Sequence, residues 1–287
     1  SRIRELSLSY FMKSDPATSR NRYVGVMSSS HTSVTTLVRT AASLLQGWYE
    51  EGIVKTRMTD EELDAFSTLV MYHNSLRELG GSSKYIRDDI PARIREIAFA
   101  DDQRREFADS DVLELTGTLN SDELPESLGR MSIPHHQHDA VTAMLCTNMF
   151  SVGVDEQRLG LMLVQGQPKT TAEYIQSTGR VGRGSIPGLV VTHYSGQKSR
   201  DRSHYESFRK YHSSLYSYVE PGSVTPFSRP ARERALHAVI VILVRHWLGL
   251  SNQTDAHLFR KDMPGLDKVV STILEIAYHI DPDELEP

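Results

Sequence analysis

Residues 159–183 read Leu159-Gly160-Leu161-Met162-Leu163-Val164-Gln165-Gly166-Gln167-Pro168-Lys169-Thr170-Thr171-Ala172-Glu173-Tyr174-Ile175-Gln176-Ser177-Thr178-Gly179-Arg180-Val181-Gly182-Arg183. The run Leu161–Val164 is continuously apolar, as expected of a parallel strand buried on both faces. A short polar loop follows. Thr170 and Glu173 then stand at capping-box spacing and open a helix. If that helix continues, Gln176, Arg180 and Arg183 fall at i, i+4 and i+7 and point the same way.

Outward from this stretch, short apolar runs alternate with helical patterns. Strands are expected at Tyr23–Met27, Thr68–Tyr72, Asp111–Leu115, Val141–Cys146, Leu159–Val164 and Leu189–Thr192. Helices are expected over Thr35–Glu51, over Lys84–Phe99 with Pro91 as a kink or restart, and over Ser121–Arg130. Alternation of this kind predicts an α/β fold, a mainly parallel sheet with helices on both faces. Ligands of such sheets bind beyond the carboxyl ends of the strands, so functional residues are expected just after each strand. After about residue 196 the composition changes. Gly196–Arg234 holds eight Lys or Arg against four Asp or Glu, with Tyr205, Phe208, Tyr211, Tyr216, Tyr218 and Phe227 interleaved. Pro230 suits the first turn of a long apolar helix running to Leu248. The expected organisation is a linker at 1–20, the α/β lobe at 21–200 and a helical extension at 201–287.

The bulk numbers exclude little. The 287 residues carry 32 Lys plus Arg and 37 Asp plus Glu, a net charge of −5, which leaves room for a local basic track. The single cysteine, Cys146, cannot form an internal disulfide, so a reducing cytoplasmic setting is the default. No apolar run approaches the roughly 20 residues of a membrane span. The chain begins without Met and reads as part of a longer protein.

The chemistry lies in Gln176-Ser177-Thr178-Gly179-Arg180-Val181-Gly182-Arg183. Two guanidiniums on one face, beside an amide and small glycines, suit a polyphosphate, because Arg is always charged and grips phosphate oxygens in a bidentate way. A lone pair of arginines would more often be a solvated basic helix end. Context changes that balance. Directly after the strand ending at Cys146 comes Thr147-Asn148-Met149-Phe150-Ser151-Val152-Gly153-Val154-Asp155, followed by a strand, the Gln-Pro-Lys-Thr loop and the arginine segment.

This order closely resembles motifs V and VI of superfamily 2 helicases, in their second RecA-like lobe. Met71-Tyr72-His73-Asn74-Ser75 follows a strand as motif IV does, and Leu115-Thr116-Gly117-Thr118 follows the next. The resemblance covers roughly residues 20–200. The phrases Asn74–Gly80 and Ser223–Ser228 resemble, more narrowly, the large helicase subunit of DISARM-type phage-defence systems. The resemblance implies that Arg180 and Arg183 contact the triphosphate of ATP across a cleft, one as an arginine finger, with Gln176 linking the cleft to a partner lobe. It implies that Gly153 and Asp155 lie near the nucleotide, and that Ser75, Thr116, Thr147 and Asn148 touch the sugar-phosphate backbone of a nucleic acid. DNA is favoured over RNA through the defence resemblance alone, which also suggests another defence-system subunit as partner.

No Gly-x-x-x-x-Gly-Lys-Ser/Thr is present, and no acidic motif to hold magnesium follows a strand. Gly166–Thr170 lacks the glycine pair of a phosphate cradle. ATP with Mg2+ would be held mainly by a first lobe, and the isolated chain is expected to be inactive. The other reading is a non-catalytic adaptor, which has no use for aligned arginines. His135-His136-x-His138-Asp139 reads as a solvated loop rather than a metal site, and Cys146 as inert filling. The loop Ser28–Ser33 is either a plain turn or faces a bound strand. The stretch Lys198–Tyr218 either tracks single-stranded nucleic acid or seats Tyr205, Phe208, Tyr211 and Leu215 on the sheet. Their three-to-four spacing favours seating.

Overall fold

The computed structural model describes residues 21–117, 123–148, 156–220 and 227–282. Among these residues six strands form one sheet: β1 (Asn21–Val26), β2 (Leu69–His73), β3 (Val112–Leu115), β4 (Ala143–Cys146), β5 (Leu161–Gln165) and β6 (Gly188–His193). Their order is β1-β6-β5-β2-β4-β3, and every pairing is parallel. β2 and β4 are buried throughout, which is why Leu69–Tyr72 and Ala143–Cys146 read as unbroken apolar runs.

Helices cover both faces. On one face lie α1 (Ser33–Trp48), α3 (Leu76–Arg87) and α4 (Asp89–Ile97), whose Leu37, Leu45, Leu79, Ile86, Ile90 and Ile94 meet Met71, Leu145, Leu163 and Val191 of the sheet. α2 (Asp60–Ser67) precedes β2 and opens with a capping box of Thr59 and Glu62. On the other face, α5 (Glu123–Met131) and α6 (Thr171–Thr178) bring Met131 and Tyr174 against Tyr72, Cys146, Val164 and Val190. Of the kink or restart expected at Pro91 within Lys84–Phe99, the structure forms a restart. α3 ends at Arg87 and α4 restarts at Asp89, with Pro91 in its first turn, where a missing N–H costs nothing.

Beyond β6 come α7 (Ser199–Glu206) and α8 (Phe208–Ser213). Tyr211 is 3% exposed and joins the sheet-side cluster, with Leu215 partly buried against it. Phe208 and Tyr205 set their rings against Tyr194. The seating reading of this stretch therefore describes what forms. The contacts divide the chain into two compact units, Ser1–Glu220 and Pro221–Pro287, later than the composition shift near 200. The second unit is built on α9 (Arg229–Trp247) and α10 (Leu266–Ile280), joined through Val244, Leu250 and Val269. Among the described residues, no helix is long and apolar enough to cross a membrane.

Candidate nucleotide and nucleic-acid edges

The candidate residues separate onto two edges of the sheet. Ser75, Thr116, Thr147 and Asn148 follow β2, β3 and β4, three neighbouring strands, at their carboxyl ends. Ser75 caps α3, its Oγ accepting the Glu78 N–H at 3.3 Å. The Thr147 N–H donates to Leu115 O at 3.4 Å, and the Thr147 hydroxyl donates to Asn148 Oδ1 at 3.4 Å. Ser75 and Asn148 are exposed, whereas Thr116 and Thr147 are buried. What this edge offers a ligand is a serine hydroxyl, an amide side chain and the rims of two threonine turns. Thr118, Gly153 and Asp155 lie outside the described residues.

One row deeper at the same edge, the register sets His73 beside Gln165 and Gln165 beside His193. Both imidazoles are buried, which lowers each to about 4 and keeps it neutral. His73 Nδ1 lies 3.3 Å from Cys146 O, while Nε2 of each ring has no hydrogen-bond partner among the described residues.

The arginines sit elsewhere. The helix expected to continue to Arg183 stops at Thr178, and Gly179 caps it by donating its N–H to Ile175 O at 2.9 Å. Ser177 and Thr178 turn their hydroxyls back onto the carbonyls of Glu173 and Tyr174. Glu173 completes no reciprocal cap. It accepts the Tyr72 hydroxyl at 2.9 Å instead. Arg180 and Arg183 therefore occupy a turn, not a helix face. Val181 between them is buried, and the Gly182 N–H donates to Leu159 O at 2.8 Å. Gly182 has φ +69°, and a methyl there would collide with Asn21 Oδ1 and the Gly188 amide nitrogen, so only glycine fits.

Asn21 completes the fastening. Its Nδ2 donates to Thr178 O at 3.1 Å, and its Oδ1 accepts the Gly188 N–H at 3.2 Å. The turn is thus fixed beside the first residues of β1, β5 and β6, at the amino edge of the sheet. Only the nucleic-acid candidates follow the expectation that functional residues come just after strands. The arginines follow a helix. Arg183 is exposed and Arg180 half-buried, and the Arg183 Nε donates to Gly179 O at 3.0 Å. Gln176 is exposed on the last turn of α6. Two guanidiniums from this turn, with an amide from the helix before it, suit a polyphosphate.

The remaining candidates lie elsewhere in the lobe. His135 meets Asp64 and sets its ring edge against Trp48, while His138 pairs with Asp139. Among the described residues, no three His, Cys, Asp or Glu stand together as metal ligands. Burial raises the Cys146 thiol. Ser28, Ser30 and His31 hydrogen-bond among themselves in an exposed turn, and His31 Nε2 lies 3.1 Å from Arg39. Sequence reasoning missed Arg105, which is buried, lies 4.2 Å over the Trp48 ring and donates to Ser67 O at 2.6 Å. It also missed Asp201 and Glu220.

Residues 87–185 match the family model described as helicase conserved C-terminal domain. These residues, from the end of α3 through the arginine turn, form a helicase C-terminal domain. Over 225 residues, 78% of the chain, this sequence is 43% identical to the DISARM protein DrmA of Bacillus paralicheniformis, and it spans 20% of that relative's length. Two solved structures share the fold. The DUF1998 helicase MrfA bound to DNA and AMPPNP matches with a TM-score of 0.52 at 13% identity, over 89% of this chain and 29% of that one. The Mycobacterium smegmatis helicase Lhr bound to ssDNA and AMP-PNP matches with a TM-score of 0.52 at 12% identity, over 90% and 29%.

Proposed function

We propose that this lobe is the second half of an ATP-dependent DNA helicase or translocase acting in anti-phage defence in the cytoplasm. The observation that carries the reading is the separation of the two edges. A fastened arginine turn presents cations at one, and hydroxyl- and amide-bearing loops stand in register at the other. In this reading Arg183 and Arg180 approach ATP held by a first RecA-like lobe. One of them stabilises charge developing on the transferred phosphoryl group, and Gln176 bridges to the partner lobe. Gly153 and Asp155 are assigned to the nucleotide side by resemblance alone. Magnesium, which would neutralise phosphate charge, is left to the first lobe.

At the carboxyl edge, Ser75, Thr116, Thr147 and Asn148 position a strand by its sugar-phosphate backbone, without reading bases. Closure on ATP and reopening after hydrolysis change those contacts and convert turnover into stepping. DNA rather than RNA rests on the DISARM relative and the DNA-bound fold neighbours. The same relative suggests a further defence subunit as partner.

The test is nucleic-acid-stimulated ATPase of the complete polypeptide with and without Arg183→Ala. Turnover should be lost while nucleotide binding is partly retained. Unchanged turnover removes the assignment. The isolated chain should not hydrolyse ATP.

A further inference from the structure

The turn at Gly166–Gln167, where β5 ends, is held from a distance along the chain. Asp201 of α7 is fully buried. Its Oδ1 accepts the Gln167 N–H at 3.0 Å and its Oδ2 accepts the Ser195 N–H at 2.9 Å. Gly166 has φ +76°, and a Cβ there would sit 3.2 Å from Asp201 Oδ2, so the backbone is shaped around the carboxylate. A carboxylate withdrawn from water is costly unless hydrogen bonds meet it, and here two loop amides do so.

Two arms leave this turn. The first runs to the carboxyl edge. Asn74 Nδ2 donates to Gln165 O at 2.8 Å and to Gly166 O at 3.3 Å, which suspends the Asn74–Ser75 turn from β5. Lys198, next to α7, reinforces it by pairing with Glu78 of α3 at 2.6 Å. The second arm runs to α6. Gln167 Oε1 accepts the Tyr194 hydroxyl, and Gln167 Nε2 donates to the Tyr211 oxygen at 3.2 Å. The Tyr211 hydroxyl donates to Thr171 Oγ1 at 3.3 Å. The Thr171 N–H is also held by both carboxylate oxygens of Glu220 at 3.0 Å. The far end of α6 carries the arginine turn.

We propose that Asp201 is a positioning residue that couples the Ser75 loop to the arginine turn, by fixing the Gly166–Gln167 turn from which both are hung. The proposal rests on the reading of these edges as the nucleic-acid and nucleotide sides. Asp201 bonds to neither the Ser75 loop nor the arginine turn and acts through Gln167. A shift of the Asn74–Ser75 turn is passed to the first turn of α6. That helix is a rod of about 12 Å, and the shift emerges at Arg180 and Arg183.

The experiment uses the complete polypeptide as Asp201→Asn, Tyr211→Phe, their combination, and Arg183→Ala. ATP turnover is measured without nucleic acid and with saturating single-stranded DNA, and DNA binding is measured by fluorescence anisotropy. Asp201→Asn and Tyr211→Phe should keep the unstimulated rate and the DNA affinity, and lower the stimulation ratio about 5- to 10-fold. The combination should be no worse than the more affected single variant, because both cut one chain of contacts. Tyr211→Phe removes one hydroxyl and keeps the ring, so it decides the matter even if Asp201→Asn fails to fold. A stimulation ratio within twofold of the parent in Tyr211→Phe, with Arg183→Ala inactive, overturns the coupling and leaves the motor reading standing. Parallel loss of unstimulated and stimulated rates would make Asp201 a plain structural prop and also overturn it. Normal turnover in Arg183→Ala removes the reading beneath both.

Discussion

At the carboxyl edge the candidate contacts come from three neighbouring strands in register. At the amino edge they come from one turn, fastened to the beginnings of three other strands. The first arrangement follows from the fold, since any residue after a parallel strand lands there. The second is built, and it needs Asn21, Gly182 and Gly188 in contact across 167 residues of sequence. A backbone-tracking surface tolerates small displacements because each contact is modest. A charge aimed at a reacting phosphoryl group does not, because misplacement of about 1 Å can cost a hundredfold.

That contrast can be broken by experiment. The largest effect is expected at the amino edge, where Arg183→Ala should lower the rate about a thousandfold or more in single-turnover ATPase measurements. Next, Gly182→Ala should destabilise the lobe by about 3 kcal/mol, seen as a lower denaturant midpoint, because it combines a positive φ with a collision against Asn21 and Gly188. If Gly182→Ala is neutral, the turn is not fixed as described.

The carboxyl edge carries the acid-sensitive groups. His73 and His193 are held at about 4 by burial, below the value near 6.5 of the unfolded chain. The unfolded state therefore takes up protons first as pH falls. Stability should be complete above pH 6.5 and decline as pH drops toward 4, by about 1 kcal/mol per histidine at pH 5.5. Denaturant titrations at pH 7 and 5.5 measure it, and His73→Gln should flatten the slope. The smallest effect is expected from Asn148→Ala. DNA affinity should fall about fivefold, the worth of roughly 1 kcal/mol, with turnover at saturating DNA unchanged. A large loss of turnover there would erase the distinction between the edges.

The sheet was legible because fully buried parallel strands must be apolar without a break, as Leu161–Val164 and Ala143–Cys146 are. The arginine turn was legible in composition and misread in shape. The i, i+4, i+7 pattern assumes a helix, and the helix is stopped by Gly179 and by a left-handed Gly182 whose reason is Asn21, far away in sequence. α2 went unread although Thr59 and Glu62 announce it. The buried carboxylate of Asp201 was hidden for a different cause. On sequence it is one more acid in a basic stretch, and its partners are backbone amides, which leave no mark on side-chain patterns.

The amide of Asn21 holds both Thr178 and Gly188, at the very first position of β1. Anyone trimming the lobe for crystallisation or binding assays should leave a margin ahead of that position. A version cut at Tyr23, where the apolar run of the sequence begins, would keep its sheet and lose the stitch that aims its guanidiniums.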